Sequence, residues 1–166
     1  ACEHDNITPD ILILGKGLTG GYLPLSATIT TQNIFDAFLG DYDELKTFFH
    51  GHSYSGNPLS CAAAIANLEI FEKNNTLLKL QDKIQLFENE LREFNGLKSV
   101  SEIRNKGLMA GIDLIKNKNT GEKFSLKDRV GKKVCDSALK EGILLRPLGD
   151  TIVLMPPISI NDSEIK

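Results

Sequence analysis

Apolar residues fall in short runs and stripes along the chain, and the spacing of each one predicts an element. Asp10-Ile-Leu-Ile-Leu14 is a continuous apolar run that stops at Gly15, and it reads as a buried strand of the kind parallel sheets use. Ser26 to Thr30 alternates, with β-branched residues, and predicts a second strand. Between them, residues 15–24 hold four of the fourteen glycines, which excludes regular structure there. Ile34, Phe35, Phe38 and Leu39 share one face of a short helix from Thr31 to Leu39. Asn57 is placed to cap, and Pro58 to open, a helix running on through Leu59–Phe71. Its alanine-rich sequence is apolar nearly all round, so this helix is expected to be buried. Leu77, Leu80, Ile84, Phe87 and Leu91 recur at three- and four-residue steps, which predicts an amphipathic helix over Thr76–Phe94 closed at Gly96.

The pattern changes after that helix. Val100–Arg104 and Leu108–Ile115 read as strands, Lys116–Lys123 as a polar turn, and Lys127–Lys140 as a helix stopped by Gly142. Ile143–Arg146 and Thr151–Met155 read as two further strands. The order β-β-α-β-β is an α+β pattern of antiparallel hairpins, unlike the α/β alternation of the first part. A boundary therefore falls near residues 74–97: one domain over 1–74, a linker helix over 75–97, and a small α+β domain over 98–166. There are no internal repeats and no low-complexity segments.

Composition narrows the function classes. The 166 residues are 41% hydrophobic, near the globular norm, with a formal net charge of -3 and no basic block, which argues against nucleic acid or an anionic membrane as partner. No apolar run approaches the roughly 20 residues that span a bilayer. The polar, acidic start (Ala1-Cys-Glu-His-Asp-Asn6) is not a secretory signal. Cys2, Cys61 and Cys135 are an odd number without CxxC spacing, as expected of free thiols in a reducing cytosol. The chain lacks an initiator Met and stops at Asn161-Asp-Ser-Glu-Ile-Lys166, a helix start with nothing following, so a fragment cut at both ends is expected.

Lys16 is the first candidate for chemistry. It follows the apolar strand directly and lies between Gly15 and Gly17, and functional residues of open α/β sheets gather at the carboxyl ends of strands. Partial desolvation there would lower its pKa from about 10.4 and free the lone pair to attack a carbonyl and form a Schiff base. The flanking glycines let a bulky ring approach the backbone. A phosphate-binding P-loop is excluded, because Gly17 stands where that motif needs Ser or Thr. The second glycine segment, His50-Gly-His-Ser-Tyr-Ser-Gly-Asn-Pro58, leads into a helix N-terminus whose N–H groups and dipole attract a phosphate, with the Ser53 hydroxyl as a further donor. Cys2-x-His4 and His50-x-His52 could in principle ligate a metal, but their single-residue spacing is unlike structural zinc pairs, and no metal is expected. Arg146, ahead of Pro147-Leu-Gly149, suits bidentate carboxylate binding.

These segments together resemble one family. Cys2-Glu-His4, Ile7-Thr-Pro-Asp-Ile-Leu12 and Leu14-Gly-Lys-Gly-Leu-Thr-Gly-Gly-Tyr-Leu-Pro-Leu-Ser-Ala-Thr28 look like the cofactor-lysine region of class III aminotransferases. The His50–Leu59 segment followed by Cys61-Ala-Ala-Ala64 resembles that class's second signature, and the likeness covers nearly the whole chain. Within the class, Ala1-Cys-Glu-His4, the His-Gly-His-Ser-Tyr form, Arg146-Pro-Leu-Gly149 and Met155-Pro-Pro157 are most similar to members that pass the amine of S-adenosylmethionine to 8-amino-7-oxononanoate in biotin synthesis. A few relatives use lysine as donor. The resemblance implies a fold-type I α/β large domain followed by a small α+β domain, pyridoxal 5'-phosphate as cofactor, and a cytoplasmic homodimer. It implies that Lys16 forms the internal aldimine and then moves the substrate proton, while His52 and Ser53 bind the cofactor phosphate in a segment that reaches the partner subunit's site. It places Gly51 near the substrate and gives Arg146 the carboxylate of the keto substrate.

Two other readings compete. One is a class III enzyme acting on ornithine, acetylornithine or an ω-amino acid; the other is a non-catalytic α+β interaction module whose glycine loops merely pack. The family's aspartate on the pyridine nitrogen, its ring-stacking aromatic and the final helix of its small domain have no counterpart among these residues. Without a carboxylate on that nitrogen the ring is a poor electron sink. The 166-residue chain by itself is therefore expected to hold the cofactor weakly and to be inactive, which a transamination assay on this chain alone would refute by showing robust turnover.

Overall fold

A computed structural model describes residues 2–166, so Ala1 of the Ala-Cys-Glu-His motif lies outside the described residues. The chain divides into two compact units, the first ending at Thr76 and the second comprising Leu77–Lys166. Among the described residues no helix is long and apolar enough to cross a membrane.

The first unit has little hydrophobic core. Strands Ile11–Leu14 (β1) and Ala27–Thr30 (β2) pair antiparallel, from Ile11 opposite Thr30 to Leu14 opposite Ala27. The apolar run is thus a strand, but neither parallel nor buried: Ile13 is 73% exposed, and Ile11 and Ile29 are exposed too. A two-stranded ribbon is too narrow to bury both of its faces. Helix α1 is only Gln32–Asp36, because the amides of Phe38 and Leu39 turn back to Phe35 and Asp36 in tighter i→i−3 bonds. Helix α2 (Pro58–Lys73) starts where Asn57 and Pro58 predict, but it is not buried: Leu59, Ile65, Leu68 and Ile70 are exposed, and only Ser60 and Ala64 are inside. An Ala-rich helix carries too little side-chain bulk to enclose itself, and its apolar character marks a surface able to be covered.

The second unit carries the core. Helix α3 (Thr76–Glu93) is followed by a hairpin of β3 (Val100–Lys106) and β4 (Met109–Leu114), then helix α4 (Val130–Lys140) and a second hairpin of β5 (Arg146–Leu148) and β6 (Thr151–Leu154). The four strands form one antiparallel sheet in the order β3-β4-β6-β5. Phe87 and Leu91 of α3 meet Val100, Leu108, Ala110, Ile112, Cys135 and Ile152 in a buried cluster. On the sheet's rim, Arg104 grips both oxygens of Asp113, which also accepts from Thr151 Oγ1 at 2.6 Å. The guanidinium holds the Asp113 carboxyl below its ordinary range. A one-turn helix (Asp162–Ile165) ends the chain, capped by Asn161.

Two boundaries differ from the expected ones. The predicted helix from Lys127 splits into a short turn at Leu126–Asp128 and α4 proper, because Arg129 adopts a left-handed backbone with φ 50°. The strand expected over Ile143–Arg146 instead begins at Arg146. Gly142 (φ 86°) donates to Leu139 and Ile143 to Ala138, so the helix end consumes the residues just before the strand. Pro147 is tolerated because β5 lies at the edge of the sheet.

Gly131, in the first turn of α4, lies against the β5–β6 turn. A Cβ built there would fall 2.2 Å from the carbonyl oxygen of Gly149. Helix propensity alone would make Gly131→Ala stabilising, but backbone cannot yield as a flexible side chain does. Gly131→Ala is expected to destabilise the protein by about 1–3 kcal/mol in urea unfolding, the cost of overpacking. A higher midpoint in the variant would refute that close contact.

Candidate functional site

Lys16 opens a single 3-10 turn, Lys16–Thr19, directly after β1. Its backbone lies in the left-handed region, with φ 49°, where glycine is at ease and a lysine is not. Gly15 before it is extended and Gly20 after it has φ 62°, so the chain reverses sharply around the lysine. The desolvation expected from a buried strand is absent: Lys16 is exposed, since the β1–β2 ribbon leaves its end uncovered. Among the described residues no carboxylate lies within ion-pair distance of its amine. Thr19, at the other end of the turn, is 1% exposed, and its hydroxyl donates to Leu23 O at 2.5 Å. Asn67 of α2 donates its side-chain amide to Gly17 O at 3.0 Å and to Leu18 O at 3.1 Å.

The second glycine segment folds as a run of turns ahead of α2. His52 Nδ1 accepts from the Tyr54 amide at 3.1 Å, which places the ring proton of neutral His52 on Nε2. The His52 amide reaches Ser55 Oγ at 3.3 Å. Gly51 and Ser53 are exposed, and among the described residues neither the amide nor the hydroxyl of Ser53 has a hydrogen-bond partner. The N-terminus of α2 does not offer the free donors expected of it. Pro58 has none, Asn57 Oδ1 accepts from Leu59 and Ser60, and the Cys61 amide goes to Asn57 O. Helix capping has already used those groups, so phosphate binding here would fall to Ser53 and to the weaker field of the dipole.

The two loops meet α2 at separate places. Asn67 lies two and a half turns beyond Pro58, about 14 Å along the helix axis. Lys16, Gly51, His52 and Ser53 thus share the first unit, with Lys16 fastened to the middle of α2 and the other three ahead of its start. Arg146 belongs to the second unit. It is exposed on β5 opposite Val153, with no carboxylate partner among the described residues. Its hairpin is tied to α4 by the Gly131 amide, which donates to Asp150 Oδ1 at 3.1 Å. That carboxylate serves as the cap that Arg129 does not provide. The described residues bring no three His, Cys, Asp or Glu side chains together around a common metal position.

The donor set fits the cofactor that the resemblance implies. A primary amine without an ion-pair partner can bond an aldehyde, and a hydroxyl with its own free amide can hold a phosphate oxygen. A Cβ at Gly17 would meet nothing within 4 Å, so the chain's own packing does not ask for glycine there, and bare backbone stands open beside the amine. Sequence reasoning passed over Asn67, Thr19 and Asp150. Asn67 did leave a signal, as a poor helix former in the middle of an alanine-rich helix.

Comparison with known proteins bears on all of these segments at once. The chain is 52% identical over 164 residues to the adenosylmethionine-8-amino-7-oxononanoate aminotransferase of Aquifex aeolicus, covering 99% of this chain and 36% of that protein. The crystal structure of the protein of that name from Methanocaldococcus jannaschii superposes with a TM-score of 0.93 at 48% identity, over 99% of this chain and 38% of that one. An ω-aminotransferase from Paracoccus denitrificans superposes with a TM-score of 0.90 at 26% identity, over 99% and 36% of the two chains. The chain therefore spans little more than a third of the length of the relatives it matches. The family profile described as Aminotransferase class-III matches residues 1–166, and the chain belongs to that family of pyridoxal-phosphate-dependent enzymes.

Proposed function

We propose that the complete protein transfers an amino group from S-adenosylmethionine to 8-amino-7-oxononanoate, giving 7,8-diaminononanoate for biotin synthesis, as a cytoplasmic homodimer. One observation carries this reading. The chain is 48% identical to a solved protein named for that donor and acceptor, which superposes with a TM-score of 0.93, against 26% to an ω-aminotransferase that superposes with a TM-score of 0.90. Where the fold is shared, the side chains at the site decide the substrate.

Pyridoxal 5'-phosphate, when bound, supplies the aldehyde that carries the amine between the two half-reactions and the ring that draws electrons from the substrate Cα. Lys16 would hold the cofactor through its aldehyde, and Lys16 Nζ would serve as the base that moves the proton of the substrate Cα. Its position between bare glycine backbone, with no carboxylate within ion-pair distance among the described residues, supports this role by leaving the amine accessible to the cofactor. Ser53 binds the cofactor phosphate through its hydroxyl and amide, with His52 beside it, and Gly51 keeps the approach to the substrate clear. The separate attachment of the two loops along α2 supports the reading that the Ser53 loop serves the partner subunit's cofactor. Arg146 binds the terminal carboxylate of the keto substrate through its fork of N–H donors. We assign residues 1–74 to the large cofactor-binding domain, 75–97 to a linker helix and 98–166 to the small α+β domain; the break between compact units after Thr76 supports this division.

The test is a coupled measurement on the full-length protein with S-adenosylmethionine, lysine and ornithine offered as donors. Formation of 7,8-diaminononanoate is expected with S-adenosylmethionine. Turnover from ornithine alone would establish the alternative class III reading. Lys16→Arg should lower kcat by about 10²–10⁴-fold, the worth of a positioned acid–base group. Arg146→Ala should raise KM for 8-amino-7-oxononanoate by about 10–100-fold, the loss of one charge-assisted contact. Undiminished activity in the lysine variant would refute the assignment.

A further inference from the structure

The turn that carries Lys16 is held by side-chain hydrogen bonds. Gly17 and Leu18 follow the lysine directly, and both of their carbonyls accept from the one side-chain amide of Asn67, at 3.0 and 3.1 Å. A primary amide presents two N–H bonds from one nitrogen and can reach successive carbonyls without bringing in a charge. The Gly17 carbonyl also accepts from the Gly20 amide at 3.0 Å, so it is held from two directions. At Gly20 a Cβ would stand 3.3 Å from Asn67 Oδ1, and its absence leaves room for the amide. Four residues past Thr19 the backbone is again pinned, as the buried Thr19 hydroxyl donates to Leu23 O. Lys16 itself occupies the left-handed region at φ 49°, a conformation that a non-glycine residue keeps only when its surroundings over-determine it.

From these contacts we infer that Asn67 is a positioning residue for Lys16: its amide locks the two peptide groups after the lysine, holds the lysine backbone left-handed, and so fixes the direction in which the amine leaves the loop. This rests on the reading of Lys16 as the cofactor-binding, proton-moving amine. The plainer role for Asn67, a staple between loop and helix, predicts a change in stability but none in the amine itself.

Asn67→Asp keeps the size of the side chain and replaces its two donors with an acceptor facing two carbonyls. Asn67→Ala removes the clamp without adding charge, and Asn67→Ser keeps one hydroxyl donor should the alanine variant fail to fold. In full-length, cofactor-free protein, trace acetylation with acetic anhydride, mapped by mass spectrometry, gives the reactivity of Lys16 relative to Lys73, exposed at the far end of α2. The Lys16 to Lys73 ratio is expected to shift by about threefold or more in the folded variants, with kcat of the loaded enzyme falling about 10–100-fold while KM for both substrates stays within about twofold, as for a reacting group misplaced by about an ångström. An unchanged ratio in a folded variant overturns the clamp, whatever happens to turnover. Turnover retained by Lys16→Arg overturns instead the catalytic meaning of the lysine, and does so even if the ratio shifts.

Discussion

A lysine backbone in the left-handed region persists only where its neighbours leave it no easier conformation, and around Lys16 those neighbours act through hydrogen bonds. Among the described residues the first unit buries one apolar side chain, Ala64, where the second buries a cluster of eight residues. Packing therefore cannot define the lysine loop. It is defined by a short set of directional contacts: Asn67 to the Gly17 and Leu18 carbonyls, Thr19 to Leu23, and the turn bonds of Gly20 and Tyr22. Hydrogen bonds suit this task, because they fix where peptide groups point without filling the space around them. The backbone at Gly17 stays bare, and among the described residues the Lys16 amine has no ion pair.

The second unit solves a different problem. Its antiparallel sheet and helices α3 and α4 enclose an apolar cluster, and the edge hairpin that presents Arg146 is set by contact with α4. Gly131 permits the approach, and Asp150 completes it by capping a helix that begins with a left-handed arginine and no cap of its own. The backbone that carries the exposed Arg146 is thus tied to α4 through Gly131 and Asp150.

Much of this was legible in the chain. The strand ends at Leu14 and Thr30, the Asn57-Pro58 helix start, the amphipathic stripe of α3 and the β-β-α-β-β order all follow from local periodicity and turn chemistry. The two misplaced burials share one cause. Calling Ile11–Leu14 and α2 buried took an apolar sequence as proof of cover, whereas burial depends on what packs against an element, and Ile13 and Leu59 are exposed. The late start of β5 and the break at Arg129 reflect how a helix disposes of its terminal amides and carbonyls, which is settled over single residues that a hydrophobic stripe does not resolve.

The amino-acid order on its own determined the family and the placing of the proposed cofactor lysine between glycines, because those depend on residue identity and short spacing. Tertiary structure decided which donors are free and which are spent. It showed that Asn57 has already occupied the first-turn amides of α2, while the Ser53 hydroxyl and amide have no partner among the described residues, and that Asn67, fifty residues from Gly17 along the chain, closes over the lysine turn. A hydrogen bond between distant residues requires both to be brought within about 3 Å by the path of the whole chain, and no local pattern encodes that path.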